Sequence, residues 1–99
     1  MTLIWTYRAR QCLREIREYI SKDSPLKAGN FIRQIIEKAE VLSGTPRIGT
    51  RPPELDGSKY LQIFHGYYRI IYEIVNEETI HIHGVIHTRR DFNRLRDDF

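Results

Sequence analysis

The 99-residue sequence has little cysteine, no long apolar run and no strong excess of charge of one sign. Cys12 is the single cysteine, so no intramolecular disulfide can form, as is usual for proteins of a reducing cytosol. Residues 1–5 have no basic region followed by an apolar stretch, which argues against a signal peptide. No apolar run approaches the roughly 20 residues that a membrane helix needs. We therefore expect a cytoplasmic protein that does not associate with membranes.

Length and composition indicate one modest globular domain. We expect residues 1–99 to form it, because a chain of this length supports a single core. Hydrophobic residues make up 40% of the sequence, which argues against disorder. The net charge of +3 allows contact with nucleic acid or with an acidic protein but requires neither. No glycine-rich phosphate-binding motif occurs, and no cofactor is expected.

Two amphipathic helices are predicted in the first half of the chain. Thr6 can cap the first helix, whose apolar positions recur at three- and four-residue steps: Ala9, Cys12, Leu13, Ile16, Tyr19 and Ile20. Ser24 and Pro25 are typical of the N-cap and first turn of a second helix, and Gly44 of its end. The apolar face of that helix comprises Ala28, Phe31, Ile32, Ile35, Ile36, Ala39 and Leu42. The tight turn between the two predicts an antiparallel helix hairpin, with Cys12 as a core residue.

The hydrophobic pattern of the remaining sequence predicts mainly β-strands. A short strand is expected at residues 3–6, and three more at residues 60–64, 68–75 and 80–87. Residues 44–57 read as a loop, since they hold three of the four prolines. The tail places Phe92, Leu95 and Phe99 at helical spacing. The predicted fold class is α+β: an N-terminal strand, an antiparallel helix hairpin packed on a mainly antiparallel four-stranded sheet, and a short C-terminal helix.

The burial pattern predicts a register for the last hairpin. A three-residue turn at Glu77–Thr79, with Asn76 opposite Ile80, would place the more apolar faces of both strands against the helices. A two-residue turn would instead bury the strand's histidines beneath the helices, which is costly without partners. In the first register Arg69 lies directly opposite His87, on the face away from the helices.

Arg69 and His87 are the leading candidates for catalysis. Arginine binds phosphate through two parallel hydrogen bonds, and histidine acts as a general acid or base near neutral pH. Glu54 would supply a carboxylate base if its loop folds over the sheet. Together the three suit RNA cleavage through attack by a 2′-hydroxyl. The alternative interpretation is structural: Arg69 pairs with Glu54 or Glu73, and His87 simply ends a strand.

A cluster of basic residues follows His87 and comprises Arg89, Arg90, Arg94 and Arg96. Its acidic neighbours favour a protein partner over a generic nucleic-acid patch, and the alternative is a solvated face.

Histidines alternate along the last strand, as metal ligands can, at His81, His83 and His87. No cysteine or carboxylate cluster supports such a set, so no metal site is expected.

The order of elements resembles the ParE/RelE toxin superfamily of type II toxin-antitoxin systems over nearly the whole chain. The motifs that carry the resemblance are Ile4-Trp5-Thr6, Ala9, Leu13 through Ile20, Ser24-Pro25 with Ala28, Pro46, Gly49, Glu54-Leu55, Tyr68-Arg69-Ile70-Ile71-Tyr72 and His87-Thr88-Arg89-Arg90-Asp91. The resemblance implies a toxin, of a kind linked to plasmid stabilization, that is neutralised by a cognate antitoxin wrapped around it. It also implies a heterotetramer or larger complex with that antitoxin.

The two branches of the superfamily imply different targets. The RelE branch implies cleavage of mRNA in the ribosome, with Arg69 on phosphate and His87 at the position of a catalytic residue. The ParE branch implies inhibition of DNA gyrase by a protein that is not an enzyme. The ending from His87 to Asp91 resembles ParE, and the exposed sheet face lacks the rich lysine set of RelE nucleases. We therefore predict a gyrase inhibitor; the alternatives are a ribosome-dependent endoribonuclease and an inactive homologue that only binds antitoxin.

Overall fold

The computed structural model describes the backbone of residues 1–99 and every side chain except that of Phe92. In chain order the elements are β1 (Thr2–Trp5), α1 (Tyr7–Ser21), α2 (Pro25–Glu40), β2 (Leu61–His65), β3 (Tyr68–Ile74), β4 (Thr79–His87) and α3 (Phe92–Asp98). Two short 3₁₀ turns, Val41–Ser43 and Pro53–Leu55, lie between α2 and β2. The predicted α+β fold class is confirmed. Phe92 was predicted as an apolar position of the C-terminal helix, but its side chain is not among those that the structure describes.

Both helices of the hairpin begin where their capping residues predict. Thr6 Oγ1 accepts a hydrogen bond from the Ala9 backbone N–H, and Ser24 Oγ accepts one from Lys27, each at 3.2 Å. Such caps stabilise a helix by about 1 kcal/mol each. Pro25 opens α2, as predicted. Gly44 differs from expectation: α2 ends at Glu40, and Gly44 follows the 3₁₀ turn with a φ of −97°, outside the left-handed region.

The predicted apolar stripes form the core between the hairpin and the sheet. The fully buried helix residues include Ala9, Ala28, Ile35 and Ala39, whereas Tyr19, at the stripe edge, is 54% exposed. Burying one such isoleucine stabilises the fold by about 1.5–3 kcal/mol. Cys12 is also buried, and burial raises the pKa of its thiol, as expected for a core residue rather than a nucleophile. Across the described part of the chain, no helix is long and apolar enough to cross a membrane.

The four strands form one mixed sheet in the order β1-β4-β3-β2. The β1–β4 pair is parallel, and the chain between these two strands includes both the helix hairpin and the β2–β3 hairpin; the other two pairs are antiparallel. Gly66, with a φ of +57°, allows the tight turn between β2 and β3. The sheet is therefore mainly antiparallel, as predicted.

The register of the β3–β4 hairpin is not the predicted one. Ile74 lies opposite Ile80, and the pairing then shifts by one residue at a β-bulge beside Ile71. Beyond the bulge Tyr68, rather than Arg69, pairs with His87. Because neighbouring residues of a strand point to opposite faces, this shift separates Arg69 from His87.

The bulge is compatible with burial because both faces of the sheet are covered. The helix hairpin covers one face, while α3 and the Pro53–Leu55 turn lie on the other, where Leu95 is fully buried. A Cβ atom on Gly84 would come within 2.7 Å of the Phe99 ring, so the C-terminal segment packs directly on β4. The predicted register assumed that only the helix side is buried, and that assumption is wrong.

Gly49 generates a stability prediction, since its loop packs tightly against the sheet edge. Its N–H donates to Tyr72 Oη at 3.0 Å, and a Cβ atom there would lie 2.7 Å from the Gln62 carbonyl oxygen. We expect Gly49→Ala to lower the free energy of unfolding by about 2 kcal/mol, because the loop must move and lose this bond. Urea denaturation followed by Trp5 fluorescence measures it.

Gly44→Ala is the matched control, because a Cβ atom added at Gly44 would meet nothing within 4 Å. Its free energy of unfolding should stay within about 0.5 kcal/mol of the parent protein. Equal denaturation midpoints for the two variants would contradict the packing described for Gly49.

Candidate functional site

An ion pair between Arg69 and Glu54 lies on the sheet face opposite to the helix hairpin. The two guanidinium nitrogens donate to the two carboxylate oxygens at 2.9 Å and 2.6 Å, a bidentate arrangement. Only 8% of the Arg69 side chain and 15% of the Glu54 side chain are exposed. Gln62 Oε1 accepts a further bond from Arg69 Nη1 at 3.2 Å. The structure thus brings together two of the three residues predicted for catalysis.

Local sequence explains how Glu54 reaches β3. Pro52 and Pro53 begin the 3₁₀ turn whose second residue is Glu54, and this turn contacts α3 over the sheet. The hydrogen bonds from Arg69 lower the pKa of the Glu54 carboxyl, against the opposing effect of burial, and Arg96 lowers it further. A general base works best with a pKa near the operating pH, so this pairing weakens Glu54 as a base.

His87 lies on the helix side of the sheet, away from Arg69. Its ring contacts that of Tyr68 at a centroid distance of 5.0 Å, and Tyr68 in turn contacts Phe31 of α2 at 5.3 Å. Nδ1 of His87 accepts the backbone N–H groups of Arg89 and Arg90 at 3.1 Å and 3.0 Å. Burial, and then the nearby Arg90 charge, lower the pKa of His87, so the ring is neutral at pH 7. The predicted alignment of Arg69 with His87 is wrong.

Arg89 and Arg90 form part of an exposed surface rich in tyrosine. The Arg89 guanidinium lies 5.3 Å from the Tyr67 ring centroid, and that of Arg90 lies 4.1 Å from the Tyr19 ring centroid. Arg90 also donates to Tyr68 Oη. We call the four exposed residues of this group, Tyr19, Tyr67, Arg89 and Arg90, the tyrosine–arginine surface; Tyr68 is buried beside it. Tyr67 is 64% exposed, and exposed tyrosine and arginine are the residue types most enriched at binding hot spots.

The other two arginines of the predicted cluster point elsewhere. Arg94 ties α3 to α1 through Glu15, at 3.0 Å, and also contacts Asp98 at 3.3 Å. Arg96 is exposed on α3 and is close enough to Glu54 to lower its pKa. The four arginines therefore do not form one patch. Arg89 and Arg90 belong to the tyrosine–arginine surface, whereas Arg94 connects the C-terminal helix to α1 and Arg96 lies near the buried ion pair.

The tyrosines of this surface and the role of Gln62 were not predicted from the sequence. A signal for Tyr67 was present, because it stands in the β2–β3 turn, and an antiparallel β4 must end beside that turn. The Thr88 N–H donates to the Tyr67 carbonyl oxygen at 2.8 Å across this junction.

Among the side chains that the structure describes, the group able to hold a metal ion is Glu73, His81 and His83, without His87.

Comparison with known proteins gives a family and a fold. The family model for the ParE toxin of the type II toxin-antitoxin system, parDE, matches residues 3–92. The fold is similar to that of a chain in the chromosomal ParDE system from P. aeruginosa, with a TM-score of 0.72, 20% identity, and coverage of 86% of this chain and 92% of that one. It is also similar to a chain of the toxin-antitoxin complex RelBE2 from Mycobacterium tuberculosis, with a TM-score of 0.63, 25% identity and coverage of 87% and 95%. No curated protein matches the sequence.

Arg69→Met tests the ion pair as a structural element. It leaves the Glu54 carboxylate partly buried without its main partner, and we expect it to lower the free energy of unfolding at pH 7 by about 3 kcal/mol. The double variant Arg69→Met, Glu54→Leu should recover more than half of that loss, since no charge is then left unpaired. Chemical denaturation of both variants measures the recovery, and a double variant no more stable than Arg69→Met would contradict it.

The pH dependence of stability tests the charge of Glu54. Its pKa in the folded protein is lowered from the usual 4.5, so the stability it contributes is present above about that pH. That contribution is lost as the pH falls through the folded-state pKa. The parent protein should therefore be more stable than Glu54→Gln at pH 7, and the difference should shrink as the pH falls below 4.5. A difference that does not change with pH, in thermal melts, would contradict this.

Proposed function

The chain belongs to the family of ParE toxins of type II toxin-antitoxin systems, and on that premise we propose that it inhibits DNA gyrase without being an enzyme. The two solved structures described above are toxin-antitoxin systems, which supports a cognate antitoxin as its partner. A heterotetramer or larger complex with that antitoxin is part of the proposal. Because gyrase acts on DNA inside the bacterial cell, the proposal also includes a cytoplasmic location.

The buried state of Arg69 is the observation that carries the choice against a nuclease. An arginine that binds a phosphodiester must offer its guanidinium to the ligand, but here both terminal nitrogens hold Glu54. A general acid or base must also reach the same phosphodiester, and His87 is on the opposite face of the sheet. This arrangement favours a toxin whose action does not depend on those three residues.

The tyrosine–arginine surface is the region that we assign to contact with gyrase. Arg89 and Arg90 are exposed there, and their guanidinium groups lie over aromatic rings, which holds them in place at little cost in conformational entropy. Arg94 supports this assignment indirectly, since its contact with Glu15 anchors the segment that follows the surface. Arg96 adds positive charge to the same segment.

The second candidate function is ribosome-dependent cleavage of mRNA. The similarity to the RelBE2 complex, at 25% identity, favours it. In that case substrate binding would have to open the ion pair and expose both groups. An inactive homologue that only binds antitoxin is the third candidate, and lack of toxicity on induced expression would identify it.

A supercoiling assay with purified gyrase tests the proposal. We expect the purified chain to inhibit supercoiling at micromolar concentration, and the double variant Arg89→Ala, Arg90→Ala to require at least about tenfold more protein, since each hot-spot residue contributes more than about 1 kcal/mol. Arg69→Met should inhibit as well as the parent protein wherever it remains folded.

The matched control removes the same charge from another exposed region. Arg17 and Arg33 lie on exposed positions of α1 and α2, so Arg17→Ala, Arg33→Ala should inhibit like the parent protein. Equal loss in the two double variants would indicate a nonspecific charge effect and would contradict the assigned surface. No inhibition by the parent protein, together with mRNA cleavage in a translating extract, would favour the second candidate.

A further inference from the structure

Three metal-binding side chains meet on the β3–β4 hairpin, on the same face as Arg69. Glu73 of β3 lies directly opposite His81 of β4, and His83 is the extra residue of the β-bulge. One potential ligand atom from each of the three lies within 4.8 Å of the other two. His83 Nε2 and Glu73 Oε1 are 2.8 Å apart, so two of these atoms already touch.

The surroundings restrict the movement of these side chains. The His83 ring contacts Tyr60 edge-on at 5.2 Å and His81 at 5.9 Å, and Tyr60 also contacts the Phe99 ring at 5.4 Å. His83 and Glu73 are only 18% and 17% exposed. A site on paired strands is more rigid than one on loops, and bulges often re-aim a side chain beside functional sites.

We propose that Glu73, His81 and His83 form a binding site for one divalent transition-metal ion, with a fourth coordination position open to an outside ligand. Two imidazole nitrogens and one carboxylate oxygen suit zinc, which commonly takes three protein ligands and one exchangeable ligand. Donor atoms around tetrahedral zinc lie about 3.4 Å apart, so closure needs only small side-chain rotations from the present separations. The ion would replace the hydrogen bond between His83 Nε2 and Glu73 Oε1.

This site was not predicted from the sequence, because only the histidines of β4 were weighed as metal ligands. Alternation along the strand groups His81 and His83 with His87, and that set has no carboxylate. The shift in register sends His87 to the helix side, while cross-strand pairing places Glu73 beside the other two histidines. A metal ion there would join β3 to β4.

Lys59 opposes metal binding and provides a sensitive test. Its ammonium lies 3.7 Å from Glu73 Oε1, and its side chain is 60% exposed, so it can move away when a cation enters. A positive charge this near lowers the affinity for another cation. Lys59→Ala should therefore tighten metal binding by about threefold to fivefold, as expected for one exposed charge interaction.

The experiment is calorimetric titration of Zn²⁺ into the full chain, purified without a histidine tag and freed of metal. We expect one ion per chain with micromolar affinity at pH 7.5, and weaker binding at pH 5.5, where imidazoles must lose protons to bind. Glu73→Gln and His81→Ala should each weaken binding at least about tenfold. Co²⁺ titration should give a visible absorption spectrum that both variants lose.

His65→Ala is the matched control, because His65 contacts Gln34 and Phe31 on the helix side and lies outside the proposed site. It should bind zinc like the parent protein. The proposal is overturned if millimolar Zn²⁺ gives no binding, or if His65→Ala weakens binding as much as His81→Ala. It is also overturned if folded Glu73→Gln, checked by circular dichroism, binds like the parent protein. The result does not depend on whether gyrase is the target.

Discussion

The guanidinium of Arg69 is buried within a sheet that is covered on both faces, and a buried charge is stable only with a partner of opposite charge. Five consecutive residues of β3, from Tyr68 to Tyr72, are buried, so neither face of this strand meets solvent. Arg69 therefore needs Glu54, and Glu54 needs the proline-rich turn that places it over the sheet. The helix α3 contacts the same turn, and Leu95 and Phe99 complete the cover of that face.

This constraint separates structural residues from residues available to a partner. Arg69 and Glu54 pair in the interior, although the buried Arg69 Nε has no hydrogen-bond partner among the described residues. His87 uses its ring nitrogen to hold the turn after β4. The exposed tyrosine–arginine surface lies at the end of the sheet and is the region best suited to recognition. The fold is shared with the ParDE and RelBE2 chains at identities of 20% and 25%, so it tolerates wide changes of side chain. A common fold does not fix the target, because action depends on which side chains are exposed on it.

Sequence alone determined the local structure and the family resemblance. Thr6, Ser24 and Pro25 marked the helix starts, because capping depends on residues close in the chain, and alternation located β2, β3 and β4 to within one residue at most of their ends. It also identified Arg69, Glu54 and the C-terminal arginines as residues of interest. These features are encoded locally, in spacing and residue type.

Tertiary structure alone decided how those residues are combined. One extra residue at the bulge reverses the face of everything beyond it, so Tyr68 replaces Arg69 opposite His87. Gly84 stands next to the bulge, but glycine within a strand marks either a bulge or a close packing contact, and here the Phe99 ring also packs on it. The pairing of Arg69 with Glu54 also spans a loop whose path depends on contacts with the sheet. Side-chain partners across strands and loops are set by the packing of the whole chain. The local sequence pattern carries no information about that packing.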